Sequence, residues 1–217
     1  MPFDHNDHYH PLLLRQVPVG ARHALDVGCG TGRFALHLAE RGIAVDAVDS
    51  SADILDAARA RSARSPAGRD VRLIQGDVTA LTLPSGHYDF ISAVASIHHM
   101  PLGVVASLRG ALRPGGVLAI LGLYRADTMQ DHASNVVAIV PNAMARLAVA
   151  IRERGARAAG EAPSAEDRIQ PAFRDATMTL AEIEAAAARL LPGYEISRLL
   201  FWRYLLVYRR DDASGSG

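Results

Sequence analysis

The sequence predicts an α/β fold with a doubly wound sheet, and three observations carry that prediction. Apolar runs of strand length alternate with helical stretches five times between Ala24 and Leu123. The runs are apolar nearly throughout, as expected of strands covered on both faces. The first run, Ala24-Leu25-Asp26-Val27, passes straight into Gly28, Gly30 and Gly32 and then into a helix.

The elements follow in order. Residues 1–20 begin rich in histidine, and Leu12, Leu13, Leu14 and Val17 predict a short amphipathic helix ending near Pro18, lying across the top or side of the domain. After the glycine segment a helix is patterned by Phe34, Leu38 and Arg41. Ile43–Asp49 reads as a second strand, and Ser50-Ser51 caps a helix from Ala52 to about Arg64. A Ser-Pro-Ala-Gly turn at 65–68 leads to a third strand, Val71–Gln75. His87–Ala95 is a fourth strand, and Pro101 opens a helix that reaches Leu112 and is stopped by Pro114-Gly115-Gly116. Val117–Leu123 is the fifth strand.

The rhythm then breaks. Residues 125–178 hold helical stretches around Val136–Val140 and Met144–Ile151, then a polar Ala/Gly/Pro/Glu run, too long for a plain connection. They are expected to form an inserted lid or an interaction element. Thr179 to Glu182 reads as a capping box one residue off ideal spacing, opening a helix over Ala181–Leu191. Glu195–Leu200 and Arg203–Tyr208 are strand-like, but no Gly or Asn marks a hairpin turn between them. Residues 1–210 are expected to form one domain, and Asp211–Gly217 has a linker's composition and is expected to be disordered.

Composition narrows the function classes. At 217 residues, with 49% hydrophobic and 21% charged residues, the chain is an ordinary soluble one. Its net charge is zero, which gives no broad field for nucleic acid or anionic lipid. All 23 basic residues are Arg. The lone Cys29 excludes an internal disulfide and, with no signal pattern at the start, predicts a cytoplasmic protein. No apolar stretch is long enough to span a bilayer.

Three features fall at the carboxyl ends of successive strands, where open α/β sheets bind ligands. The glycine segment lets the backbone turn tightly and meet a ligand closely, and the helix start offers unpaired N–H groups. Asp49, seventeen positions after Gly32, is placed to accept both hydroxyls of a ribose. In Gly76-Asp77-Val78 a carboxylate can meet an exocyclic amine, and Val78 can offer its N–H to a base. Each has a plainer reading: a turn, a carboxylate leading a helix, a loop acid. In this order and spacing they point to a nucleotide-like cofactor.

DVGCGTG, VDAVDSS, GDV, a strand ending before IHHM, and ALRPGG together resemble the class I S-adenosylmethionine-dependent methyltransferases, most of all their small-molecule branch with the ubiquinone/menaquinone-type enzymes. The resemblance is strong over about residues 22–124 and weaker from Thr179 to Arg210. It implies a Rossmann-like methyltransferase fold with a seven-stranded, mostly parallel sheet, its last strand antiparallel. It also implies S-adenosylmethionine as methyl donor. The nicotinamide fingerprint G-x-G-x-x-G is not met: the spacing here is G-x-G-x-G, with Asp26 two residues ahead.

Carried over by position, the resemblance assigns Gly28, Gly30 and Gly32 to the methionine part and ribose, with Asp26 and Thr31 in the same segment. Asp49, followed by Ser50, would hold the ribose hydroxyls, and Asp77 and Val78 the adenine. The backbone near Val94 and Ala95 would meet the amino group, and Tyr9 would touch the donor from an N-terminal lid. His98 and His99, just past strand four, stand where a base could take the acceptor's proton, or could serve only to fix the loop.

Absences bear on the acceptor. The Asn/Asp-Pro-Pro-Tyr signature is missing where Ser96–Met100 stands, and so is a Pro-Cys nucleophile. A small organic acceptor methylated at O, N or C is expected, with no nucleic-acid partner and a monomer or homodimer. A protein that binds the donor for other chemistry, or for regulation, stays open at this point. His5, His8 and His10 have no spacing that completes a tetrahedral metal site, so no metal is expected. Trp202, Arg203 and Tyr204 could face an acceptor or simply pack, and Cys29 reads as a small loop residue.

Overall fold

The computed structural model describes residues 7–127 and 176–211. Seven strands form one sheet: β1 (His23–Val27), β2 (Ala44–Asp49), β3 (Val71–Gln75), β4 (Tyr88–Val94), β5 (Leu112–Leu123), β6 (Glu195–Leu199) and β7 (Arg203–Arg209). Their spatial order is β3-β2-β1-β4-β5-β7-β6, and β7 runs antiparallel to both its neighbours. The pairings from β3 through β5 are all parallel. The chain thus moves outward from β1 to β3 and returns to β4. That reversal opens a crevice at the carboxyl ends of β1 and β4, where such sheets hold their ligands.

Each sheet face carries its own apolar layer. On one, α1 (His10–Leu14), α2 (Arg33–Ala39) and α3 (Ala52–Ala63) bury Leu13, Phe34, Leu38 and Leu55 against Ala24, Phe90, Ala119 and Leu121. On the other, α4 (Val104–Ala111) and α5 (Leu180–Leu190) bury Val105, Leu108, Ile183 and Ala187 against Leu25, Ile91, Leu118 and Leu206. Successive β5 residues alternate between the two layers, Leu118 and Ile120 to one, Val117 and Ala119 to the other, which explains the unbroken apolar runs.

Several boundaries differ from the sequence expectation, each for a visible reason. The first helix ends at Leu14, well short of Pro18. Arg41 lies beyond α2, exposed, and donates to the carbonyl of Leu14 at 2.6 Å instead of extending the apolar stripe. Pro114-Gly115-Gly116 does not end the helix; it lies inside β5. Tyr88 pairs with Leu112 and Phe90 with Val117, so five residues of β5 pass where β4 uses two. The bulged segment is held by Gly115 and Gly116, each bonded to Arg210 across the sheet.

The capping box has ideal spacing, not one residue off. Thr179 is the N-cap of α5 and accepts from the Glu182 N–H, while the Glu182 carboxylate accepts from Thr179 N at 2.8 Å. β6 and β7 do form a hairpin without Gly or Asn. Phe201 and Trp202 take left-handed φ values of 62° and 54°. Remote contacts hold that turn: Tyr9 Oη donates to Leu200 O, and Tyr124 N donates to Trp202 O at 3.0 Å.

The helical insert expected over 125–178 falls almost wholly outside the described residues, as does most of the tail expected to be disordered. The described ends of the insert meet, the Arg125 N–H donating to Met178 O at 2.7 Å. Among the described residues no helix is long and apolar enough to cross a membrane.

Candidate cofactor-binding site

The segment after β1 turns because Gly28, Gly30 and Gly32 all hold left-handed φ. Gly28 is the tightest position: a Cβ there would stand 2.4 Å from the Cβ of Ser96, on the neighbouring strand's exit. Gly30 is the opposite case, with open space where its Cβ would lie. The loop is tied to β2, since Gly28 N and Cys29 N both donate to Val48 O, at 2.8 and 3.0 Å. It ends at Gly32, the N-cap of α2.

Asp49, at the end of β2, grips this loop. Its Oδ2 accepts from Gly30 N at 2.9 Å and its Oδ1 from Ser51 N at 3.0 Å, so it leads α3 and fixes the glycine loop at once. A carboxylate has about four acceptor positions, so capacity for two hydroxyl donors is left. The Asp49 carbonyl accepts from Gly76 N at 3.0 Å, which joins the third segment to the first two. Asp77 follows, exposed, with Oδ1 taking both the N–H and the hydroxyl of Thr79. The Thr79 hydroxyl and N–H hold the Asp77 carboxyl below its usual range. Val78 is buried in the α4 layer, while Thr31 is half-buried and Ser50 exposed at the rim.

Asp26 lies beneath the loop, on the face that carries α2, and is only 1% exposed. Ser92, its register partner on β4, donates to Oδ1 at 2.7 Å. The other oxygen, Oδ2, is buried with no partner of good hydrogen-bond geometry among the described residues. Burial pushes the carboxyl up to about 7; the Ser92 hydroxyl opposes this, Asp49 adds to it, and the Ala35 N–H opposes it least. The Cys29 thiol is also pushed up, by burial first and then by Asp26 and Asp49, so it is no nucleophile.

Beyond β4, Ala95 takes a left-handed φ of 52° and its N–H is held by Leu121 O at 2.7 Å. Ser96 Oγ donates to Val27 O at 2.6 Å, clasping β4 to β1 below Gly28. His98 and His99 sit in a short 3₁₀ turn, Ile97–His99, with ring centroids 3.9 Å apart and His99 the more exposed. Tyr9 is buried in the α1–α2 layer that also holds Cys29, with its hydroxyl on Leu200 O. His10 Nδ1 lies 3.2 Å from His37 Nδ1, and Asp7 pairs with Arg33, so this segment docks on α2. Among the described residues no three His, Cys, Asp or Glu converge to hold a metal.

The sequence reading missed Ser92 and Ser96. Ser92 is a lone hydroxyl inside β4, and Ser96 follows the strand's end beyond the left-handed Ala95; that polar break in an apolar run was the available signal.

A methyltransferase-domain model matches residues 24–116. An uncharacterized methyltransferase of Mycobacterium tuberculosis is 31% identical over 210 residues, covering 96% of this chain and 97% of its own. The chain belongs to the class I S-adenosylmethionine-dependent methyltransferases. A ubiquinone biosynthesis O-methyltransferase of Thiobacillus denitrificans is 33% identical over 112 residues, 49% of this methyltransferase and 48% of that protein. An S-adenosylmethionine-dependent methyltransferase of Methanosarcina mazei has the same fold, at a TM-score of 0.62 and 14% identity, covering 93% and 98% of the two chains.

The residues present fit the donor. Its ammonium and sulfonium groups are cationic, and the glycine loop of this methyltransferase has Asp49 bonded to Gly30 N and Asp26 buried beneath it, with one Asp26 oxygen lacking a good partner among the described residues. Gly30 leaves open space beside them.

Proposed function

We propose that this methyltransferase acts on a small organic acceptor with apolar, ring-like surface, methylating it at O, N or C by in-line transfer. The observation that carries this reading is Trp202. It is 43% exposed and sits in the β6–β7 turn, at the carboxyl edge that also carries the glycine loop. An exposed indole on a turn held in left-handed geometry offers a flat apolar surface to a ring, with a single N–H donor at its edge. The partial likeness to a ubiquinone biosynthesis O-methyltransferase agrees with such an acceptor and with the ubiquinone-type branch.

Each residue then has a task. Gly28, Gly30, Thr31 and Gly32 receive the donor's methionine end, with the Val94 and Ala95 carbonyls accepting from its amino group. Asp49 accepts from the ribose hydroxyls while still holding Gly30, with Ser50 beside it, and Asp77 and Val78 flank the adenine. The bound donor supplies an electrophilic methyl on a good leaving group. The chain therefore has to align the acceptor and exclude water. His99, the exposed member of the pair past β4, takes the acceptor's proton, and His98 packs beside it to fix the ring. Tyr9 serves packing, by anchoring the turn that presents Trp202.

The test is transfer of labelled methyl from S-adenosylmethionine to fractionated cell extract. Label should appear in the organic-soluble small-molecule fraction. Label confined to the protein or nucleic-acid fraction would overturn this reading. His99→Ala should lower kcat with an unchanged Kd for S-adenosylhomocysteine; unchanged turnover removes the base role.

A further inference from the structure

Asp26 presents a problem that the donor's fit alone does not resolve. It is a carboxyl group 1% exposed in an apolar layer, with one oxygen on Ser92 and the other lacking a good partner among the described residues. Four groups act on it among the described residues. They are the Ser92 hydroxyl on β4, the Asp49 carboxylate at the end of β2, the Cys29 thiol in the loop and the Ala35 N–H of α2. Among the described residues none of these is basic. An isolated carboxylate at such a place, beside a second one, holds on to its proton. Asp49 on the glycine loop and Asp26 beneath it then share a single negative charge until a cation arrives.

We propose that donor uptake is coupled to proton release: the α-ammonium group displaces the proton of Asp26, and Ser92 is the positioning residue that sets where this exchange is poised. The proposal rests on the Gly28–Gly32 loop being the donor site. The balance is simple. The Asp26 O–H bond breaks, its proton passes to solvent, and the carboxylate left behind faces an ammonium that keeps its own three protons. Because the ligand favours the deprotonated state, affinity rises with pH until Asp26 is ionised in the free protein as well. Its carboxyl stands at about 7 there, so the exchange falls in the physiological range. Ser92 acts through the carboxylate: its hydroxyl favours the charged form, and without it the exchange moves to higher pH.

Calorimetric titration with S-adenosylhomocysteine tests this, since the α-ammonium is its one fully charged cation. It would be run from pH 6 to pH 8.5 in two buffers of different ionisation enthalpy. The Kd should fall about tenfold per pH unit below neutrality and level off above pH 8. Near pH 6 the two buffers should report about one proton released per ligand bound. Asp26→Asn should bind more weakly at pH 8 and show no slope, which separates Asp26 from the histidines that titrate in the same window. Ser92→Ala should keep the slope and shift its midpoint upward, a change that a purely structural serine would not cause. A wild-type Kd equal at pH 6 and pH 8 overturns the coupling while leaving the donor site intact, and so does a slope that survives in Asp26→Asn. Failure of the wild type to bind at any pH overturns the donor-site reading and the coupling with it.

Discussion

The two halves of the sheet are built for their tasks by different means. From β3 to β4 the carboxyl edge is made mostly of backbone, with glycines in left-handed geometry, and of two carboxylates, Asp49 on Gly30 N and Asp26 on the Ser92 hydroxyl. From β5 to β6 the same carboxyl edge is made of side chains, with Trp202 raised on a turn held from afar by Tyr9 and Tyr124. A donor that never varies can be met by fixed main-chain groups. On the proposed reading, an acceptor that differs from enzyme to enzyme is met by residues that a sequence can exchange without disturbing the donor crevice.

The largest effect should come from breaking the backbone half. Gly28→Ala places a Cβ 2.4 Å from Ser96 at a φ of 66°. Strain and overlap together should cost on the order of 3 kcal/mol and abolish binding of S-adenosylhomocysteine. A melting curve and a binding isotherm read both; a variant that binds normally would show that the loop moves freely. Asp26→Asn should do the reverse to the apoprotein. The carboxyl titrates near 3.8 when unfolded and near 7 when folded, so the native state keeps its proton longer. Apoprotein stability from this group is therefore full below about pH 4, falls as pH rises and is lost above about pH 7. At pH 8 Asp26→Asn should raise stability by on the order of 2 kcal/mol, and the gain should vanish at pH 4. A gain of equal size at both pH values would mean that it comes from packing, not charge.

This contrast also explains what could be read from the chain. β1, β2 and β3, the glycine spacing, and Asp49 and Asp77 follow from local signals: apolar runs, turn residues and a carboxylate at a strand end. The hairpin carries no local signal, because Phe201 and Trp202 adopt glycine's conformation under contacts from Tyr9 and Tyr124 that are distant in sequence. The early start of β5 was hidden for a related reason. Pro114-Gly115-Gly116 reads as a stop, yet pairing with Arg210 keeps it in the sheet. Ser92 looked like one more strand residue until register set it against Asp26.

A smaller effect tests how far the halves are independent. Thr179 and Glu182 cap α5, which covers the β5–β7 region through Ile183 and Ala187. Thr179→Ala should lower stability by about 1 kcal/mol in urea and leave the affinity for S-adenosylhomocysteine unchanged. A matching loss of affinity would show that the halves are coupled through the sheet.

The smallest effect on stability, and the sharpest test of the division, is expected at Trp202. Glycine accepts a φ of 54° without penalty, whereas alanine retains the strain and lacks the indole. Trp202→Gly and Trp202→Ala lose the same ring, so their difference isolates the turn. The glycine variant should be more stable by about 1 kcal/mol. Both should bind S-adenosylhomocysteine as the wild type does, because Trp202 makes no bond to the glycine loop, Asp49 or Asp77 among the contacts of the described residues. Both should raise the KM for the acceptor while changing kcat little, since the ring binds and does not react. If kcat fell instead, with KM held, the indole would be shaping the transferring geometry, and the acceptor edge would be part of the reaction centre.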